Sequence, residues 1–384
     1  MTAIAIFCDG TWNNKDRTEN DTSVARIFQA LETEKNRGRR GVDPLYVEGV
    51  GADNEAQSLG KFINKWRGGA LGRGLTANVR KAYAHLCATY KAGDRIYIFG
   101  FSRGAYTARS LAGLIRASGL VRDPDDINKA MAHYRNRHDS TKPSTPESLA
   151  FRAEKSPDFY TNEDEREWRR DNNKPIGAAI HIAYLGIFDT VGTRGIPGVL
   201  SQLGLIPGGH GFHDLELSSM VQSGRHALGL DERRRLYKHT EWSNLKRLND
   251  AAGVNSAGHT RYLQQWFPGD HGMIGGSGAN RQISNSIMAW VLEGAAQEGL
   301  SVAMPSVVAP KSDDYAGPLS NKSGGWNWAR GWRSGPAAEA LMDVHDVALK
   351  RVREVRKYRP KSLKILDVPS WEAKVDTELS TRIV

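Results

Sequence analysis

Cysteine is nearly absent: Cys8 and Cys87 are the only two in 384 residues, too few for a disulfide framework. Both read as buried thiols of a reducing compartment. Long apolar runs are missing as well. No stretch reaches the roughly 18 residues a membrane-spanning helix needs. The opening MTAIAIFCDGTW is too short and lacks the basic start of a secretory leader, so it reads as a first strand. Acidic charge is in deficit, 43 Asp and Glu against 53 Lys and Arg, a net charge of +10. That excess suits acidic partners such as anionic lipid head groups or nucleic acid, and it equally serves solubility. Otherwise the composition, 39% hydrophobic and 25% charged, is ordinary for a soluble globular chain. Its length suits one large domain, or one domain carrying an insertion.

What is present is alternation. AIAIF (3–7) and PLYVEGVG (44–51) read as strands, and SVARIFQALETEKNR (23–37), behind Asp21-Thr22 as N-cap, as a helix. NVRKAYAHLCATYKAGD (78–94) is an amphipathic helix closed by Gly93; the strand IYIFGF and a helix over about 105–118 follow. Residues 178–192 predict a long strand, 215–235 a helix, 260–276 a strand running into a loop, and 283–300 an apolar helix. Beyond them, 337–356 predicts a helix. Strands alternating with helices of this length predict a mostly parallel central sheet with helices on both faces. The reading is one domain over 1–384. Residues 122–176, polar and highly charged, are a helical cap or insertion within it, and 300–335 is an irregular Gly/Trp-rich segment.

The chemistry starts at RIYIFGFSRGA (95–105). Gly-x-Ser-x-Gly is a weak signal in a chain with 40 glycines, but here a strand precedes it and a helix follows. A tight turn at that junction forces Ser102 into strained backbone geometry, and Gly100 and Gly104 avoid clashes with neighbouring chain. The hydroxyl is lifted toward a helix N-terminus, whose N–H groups can hold an oxyanion. The competing reading is a glycine-flanked turn with a capping serine. A nucleophilic serine needs a base, and the base an orienting carboxylate, in chain order Ser, Asp or Glu, His for an α/β-hydrolase. Asp189, ending IAYLGIF, fits the acid, with a turn or capping aspartate as its alternative. His271, in FPGDHGMIGG, fits the base, although Asp270 beside it is a rival for the acid. His226 and His345 lie in helical patterns and read as packed or capping residues.

Four stretches together, IFCDGTWN, GFSRGAYTAR, YLGIFDTVG and WFPGDHGMIGG, resemble the α/β-hydrolase catalytic domain of type VI secretion lipase effectors of the first Tle class. HDLELS (213–218), HALGLDERR (226–234) and VHDVALKR (344–351) echo the same family in the same order. The resemblance implies an α/β-hydrolase fold and esterase chemistry, in its best-known members phospholipase A-type hydrolysis of membrane lipids. It puts the nucleophile on Ser102, the acid on Asp189 and the base on His271. The loop Asp9-Gly10-Thr11 would border the nucleophile, with the N–H groups of Thr11 and Arg103 forming the oxyanion hole. Two departures are visible. The histidine loop continues Gly272-Met273-Ile274-Gly275-Gly276 where the family usually has Ser-Asp-Val-Gly-Gly, and Tyr106 stands where small residues are common.

A strand followed by Asp-Gly-Thr also resembles phosphatases of the haloacid dehalogenase type. Their nucleophilic Asp would fall at Phe7, so that chemistry fails. Two alternatives stay open, a cytoplasmic small-molecule esterase and an idle hydrolase fold used as a membrane- or partner-binding module. The triad calls for no cofactor and no metal. The expected partners are a phospholipid membrane surface as substrate and a secretion-machinery or immunity protein, with no nucleic acid. The chain would be cytoplasmic as synthesised and exported by a type VI secretion system. Candidate lipid-facing residues are Trp326, Trp328 and Trp332 with Arg330 and Arg333, and Trp168 with Arg169 and Arg170; an ordinary packed loop explains them equally well. An acyl chain would enter beside Ser102 under the 122–175 insertion.

Overall fold

The computed structural model describes residues 1–10, 21–49, 70–136, 138–191, 216–234, 237–277, 280–303, 310–319 and 331–382. Six strands form one sheet: β1 (Ala3–Cys8), β2 (Val42–Val47), β3 (Arg95–Phe101), β6 (Ile182–Phe188), β7 (Gly224–Gly229) and β8 (Tyr262–Phe267). Their order is β2-β1-β3-β6-β7-β8, with every pair parallel. Two short strands, β4 (Phe159–Tyr160) and β5 (Ala178–Ala179), pair separately.

Side-chain alternation along these strands builds a core on each face. Ile4, Ile6, Ile96 and Ile98 face helices α2 (Ala70–Thr89) and α3 (Arg103–Ser118), joined by Val79, Tyr83, Leu111 and Leu114. Ala5, Phe7, Tyr97 and Phe99 face the opposite way, against α1 (Ser23–Asn36) and a helix over Gln282–Gln297, through Ile27, Phe28, Ile287 and Val291. Phe7 and Phe99 stack with centroids 5.1 Å apart across the β1–β3 pair. Thr22 caps α1, its hydroxyl accepting from Ala25 N at 3.1 Å.

The expected helix over 215–235 contains instead the strand β7. All six of its residues, GRHALG, are buried. A strand covered on both faces carries no polar–apolar alternation, so periodicity did not reveal it. Its glycines answer close neighbours: a Cβ at Gly229 would lie 2.9 Å from the Gly269 carbonyl oxygen. The helix expected over 337–356 likewise starts only at Asp346 and runs to Glu354, with His345 as its N-cap. Val344 instead bridges to Trp266 beside β8, where the His345 N–H donates to the Trp266 carbonyl at 3.0 Å. This contact covers the sheet edge and opens a third cluster, in which Leu228, Leu230 and Trp266 pack against Leu349, Val352, Ile365 and Val375. The described parts of 300–335 contain one single-turn helix, Asp314–Ala316.

Within 122–176 lie α4 (Ile127–Arg135), α5 (Pro146–Lys155), α6 (Glu163–Asp171) and β4. Their anchors run to the C-terminal end of α3. Arg152 donates to the carbonyls of Arg116 and Ala117, Ser118 Oγ donates to the Ala130 carbonyl, and Leu120 N donates to Ser156 Oγ. Ser102 stands at the other end of that 16-residue helix, roughly 24 Å away at 1.5 Å per residue. The expected acyl-chain entry beneath this insertion is therefore not what these anchors build. Scarce in apolar residues, the insertion has an ionic centre. Glu165 accepts from Arg152 Nε at 2.6 Å, from Arg169 Nη2 at 2.5 Å and from Thr161 Oγ1 at 2.7 Å, with all three charged side chains buried.

Removing the shared acid would strand two buried guanidinium groups. Glu165→Ala should destabilise the protein by about 3–5 kcal/mol in a urea titration; a loss below about 1 kcal/mol, the scale of an exposed pair, would contradict this account.

Candidate active site

The sheet changes direction of winding between β1 and β3, and ligands of open α/β sheets gather at the carboxyl ends beside such a point. Ser102 follows β3 there. Its backbone is left-handed, φ 57° and ψ −119°, and its N–H donates to the Phe188 carbonyl at 3.1 Å. The glycines around it are steric necessities. A Cβ at Gly100 would lie 2.6 Å from Ala105 Cα, and one at Gly104 would overlap the carbonyl groups of Cys8 and Asp9. The absence of a methyl at Gly104 is what lets the elbow press on the end of β1. Ser102 occupies the N-cap position of α3 yet makes no capping bond. Its Oγ lies 2.8 Å from His271 Nε2.

His271 opens a single turn, α7 (Leu245–Ala252) having preceded β8 and α8 (His271–Ile274) following it. Asp270 caps that turn, Oδ1 accepting from Met273 N at 3.1 Å. The rival acid is thus spent on the backbone. Asp189 Oδ2 stands 2.6 Å from His271 Nδ1. A buried, ionised carboxylate can only accept, so Nδ1 carries the proton and Nε2 is left to accept the Ser102 hydroxyl. The imidazole lies against Phe101 (centroids 4.8 Å) and Tyr237 (5.0 Å, edge-on), and the His271 N–H donates to Glu232 Oε2 at 3.2 Å.

Asp189, at the end of β6, also has a left-handed backbone, φ 42°. Burial alone would push its pKa up. The Arg333 guanidinium and the His271 imidazole outweigh that and hold it well below the usual carboxylate range. Arg333 grips both oxygens, Nη1 to Oδ1 at 2.6 Å and Nη2 to Oδ2 at 2.8 Å, and the Gly229 N–H donates to Oδ1 at 3.2 Å. Arg333 Nε donates to the Tyr237 carbonyl at 2.9 Å.

The expected site residues meet different outcomes. Ser102, His271 and Asp189 come together in one hydrogen-bonded chain. Asp9 is buried behind the elbow. Its Oδ1 accepts from Gly10 N at 2.6 Å, and its Oδ2 accepts from Thr22 Oγ1 at 2.5 Å and Tyr46 Oη at 2.6 Å, so its carboxylate braces β1, β2 and α1. Arg103 opens α3 with its amide next to Ser102, and burial lowers its guanidinium pKa to about 10. Thr11 lies outside the described residues, as do Trp326, Trp328 and Arg330. Arg333 and Arg169, offered as lipid-facing cations, are corrected: both are buried, the first on Asp189 and the second on Glu165. Trp332 packs under Arg233, 5.2 Å from guanidinium to ring, while Trp168 is half-buried and Arg170 exposed. Tyr106 is buried on α3.

His226 is packed, as expected, but on β7. Burial, aided by Arg109, pushes its pKa down to about 3, and its neutral ring accepts from Thr190 N at 3.3 Å and meets Gln264 Oε1 at 3.0 Å. Sequence reasoning missed the roles of Glu232, Tyr237 and Arg333; Glu232 lay inside a stretch already singled out, HALGLDERR, and Arg333 had been singled out only as a lipid-facing cation. Among the described residues no group of three or more His, Cys, Asp or Glu could hold a metal ion.

A parallel sheet whose third strand ends in a left-handed serine elbow, with a helix behind it, defines an α/β-hydrolase domain. The chain belongs to the family described as T6SS, Phospholipase effector Tle1-like, catalytic domain, which it matches over residues 2–294. A curated relative, "Uncharacterized protein YEL023C" of Saccharomyces cerevisiae, is 30% identical over 166 residues, 43% of this chain and 21% of that protein. Among solved structures, an uncharacterized protein from Pseudomonas aeruginosa aligns at 16% identity with a TM-score of 0.43, covering 82% of this chain and 48% of that one. The Tle1 effector bound to the VgrG spike of the type 6 secretion system aligns at 20% identity and TM-score 0.33, covering 73% and 51%. The chain thus spans about a fifth of the curated relative and about half of each of these two structures.

The close approach at the elbow is directly testable. Gly104→Ala should cost about 1–3 kcal/mol, the range for overpacking a tight interior, read by denaturant unfolding. Unaltered stability would mean that β1 and the elbow do not need their contact.

Proposed function

We propose that the protein is a serine hydrolase that cleaves the carboxylic esters of membrane phospholipids. The observation carrying this reading is the continuous chain Ser102 Oγ–His271 Nε2 (2.8 Å) and His271 Nδ1–Asp189 Oδ2 (2.6 Å). Ser102 attacks the acyl carbonyl as His271 takes its proton. The tetrahedral oxyanion is held by the Arg103 N–H at the start of α3 and, by analogy with other hydrolases, by that of Thr11. His271 then protonates the departing lysolipid, and a water activated by the same imidazole releases the fatty acid. Asp189 keeps Nδ1–H in place and balances the imidazolium. No cofactor is needed at any step.

Family membership supports the lipid substrate, and the +10 net charge supports docking on an anionic surface. The protein is made in the cytoplasm and delivered by type VI secretion machinery, with an immunity protein as a further partner. Among the described residues no helix is long and apolar enough to cross a membrane.

Ser102→Ala, His271→Ala and Asp189→Asn are each compared with the parent on phosphatidylglycerol and phosphatidylcholine vesicles, following free fatty acid at two salt concentrations. The first two should lose at least about a thousandfold in rate and Asp189→Asn less, for groups that act as a unit. Release should be faster from the anionic vesicles and slow with added salt, since screening acts within about 8 Å at physiological ionic strength. Ser102→Ala within tenfold of the parent would refute the nucleophile. Turnover of soluble esters with no fatty acid from vesicles would refute the lipid.

A further inference from the structure

We propose that Arg333 is a positioning residue for the hydrolytic site: its fork fixes the plane of the Asp189 carboxylate and supplies the counter-charge that the buried acid needs. The proposal rests on the triad reading above. It also makes the catalytic constellation depend on a residue 39 positions beyond the family match, which ends at 294.

The geometry favours this role over simple packing. Both guanidinium Nη atoms meet both carboxylate oxygens, at 2.6 and 2.8 Å, the fork-to-fork arrangement that fixes orientation as well as charge. The fork is itself held. Nε donates to the Tyr237 carbonyl at 2.9 Å and Nη1 to the Gly229 carbonyl at 3.4 Å, while two residues earlier Gly331 N donates to the Arg233 carbonyl at 2.7 Å. Asp189 Oδ2 is shared between Arg333 and His271 Nδ1, so a tilt of the carboxylate moves the imidazole that faces Ser102. Arg333 is also the cation that lies on the acid, whose ordinary buried state would be protonated.

The charged and titratable groups facing the pair are Arg333, Glu232 with its partner Arg234, Asp270, Tyr237, Arg103, His226 and Ser102. Glu232 is paired with Arg234 through two bonds of 2.9 and 2.7 Å, and Asp270 caps α8, so neither replaces Arg333. Without the guanidinium, the sign follows directly. Burial would then act on Asp189 with only His271 and the Gly229 N–H to oppose it, and Asp189 would take up its proton at a higher pH.

The test compares Arg333→Met and Arg333→Lys with the parent on a chromogenic butyrate ester across pH 4–9, with competent enzyme counted by fluorophosphonate labelling and folding checked by circular dichroism. For Arg333→Met, the acid limb of kcat/KM should move up by about one pH unit, and kcat should fall about 100-fold for a misplaced base. Arg333→Lys keeps the charge and loses the fork. Its acid limb should stay with the parent's while kcat falls about tenfold. If Arg333→Met fails to fold, Arg333→Lys alone decides: a kcat equal to the parent's overturns the positioning role. A folded Arg333→Met whose pH profile overlays the parent's overturns it as well, and leaves Arg333 as packing. Loss of the triad reading is seen separately, as activity retained by Ser102→Ala.

Discussion

Asp189 sits at the end of β6 with its side chain out of contact with solvent, and a carboxylate in that position survives as an anion only if protein groups replace water on every side. They do so from three directions: the His271 imidazole, the Arg333 fork and the Gly229 amide at the end of β7. The strands that converge here, β6, β7 and β8, are neighbours in the sheet, so correct pairing of three central and edge strands is a precondition for balancing one charge. The reverse also holds. A mispaired sheet would leave an uncompensated buried anion, so this carboxylate penalises alternative registers.

The second constraint is steric. Ser102 and Asp189 are both non-glycine residues in left-handed backbone, conformations that persist only where the surroundings over-determine them. The Ser102 turn is over-determined by contact with β1 at Gly104 and by its amide bond to the Phe188 carbonyl. The latter ties the serine directly to the residue preceding the acid. Ser102 and Asp189 are therefore adjacent through the backbone of β3 and β6 before any side chain is placed. The imidazole, by contrast, arrives from β8 on a one-turn helix. It is fixed from outside by Glu232 at its amide, by the rings of Phe101 and Tyr237, and by Gly275, where any Cβ would run into the Phe101 ring.

Much of this was legible in the chain. The strands β1, β3, β6 and β8 announce themselves as short apolar runs, and the elbow as strand–Gly-x-Ser-x-Gly–helix. The order Ser, Asp, His, each beyond a strand end, led to the three side chains that the fold brings within hydrogen-bond distance after β3, β6 and β8. What escaped notice has a common physical cause. β7 is buried on both faces and begins and ends in glycine, so it lacks period-two alternation. Arg333 looks, in sequence, like a cation beside tryptophans. Its burial follows only from an acid 144 residues away. The insertion around Glu165 reads as solvated because its residues are charged, yet those charges are its core.

Arg152, Arg169 and Arg333 together correct a habit of reading arginine as surface. In each case a planar fork is satisfied by carboxylate oxygens and nearby backbone carbonyls, which is how a permanent charge can be desolvated without neutralisation. That places part of the basic excess inside the molecule, where it cannot attract an anionic surface. The docking proposed above would draw on exposed side chains, among which the stretch Arg356, Lys357, Arg359, Lys361 and Lys364 is dense. The formal charge of the chain and the charge a membrane would feel are therefore different quantities, and burial, residue by residue, decides between them.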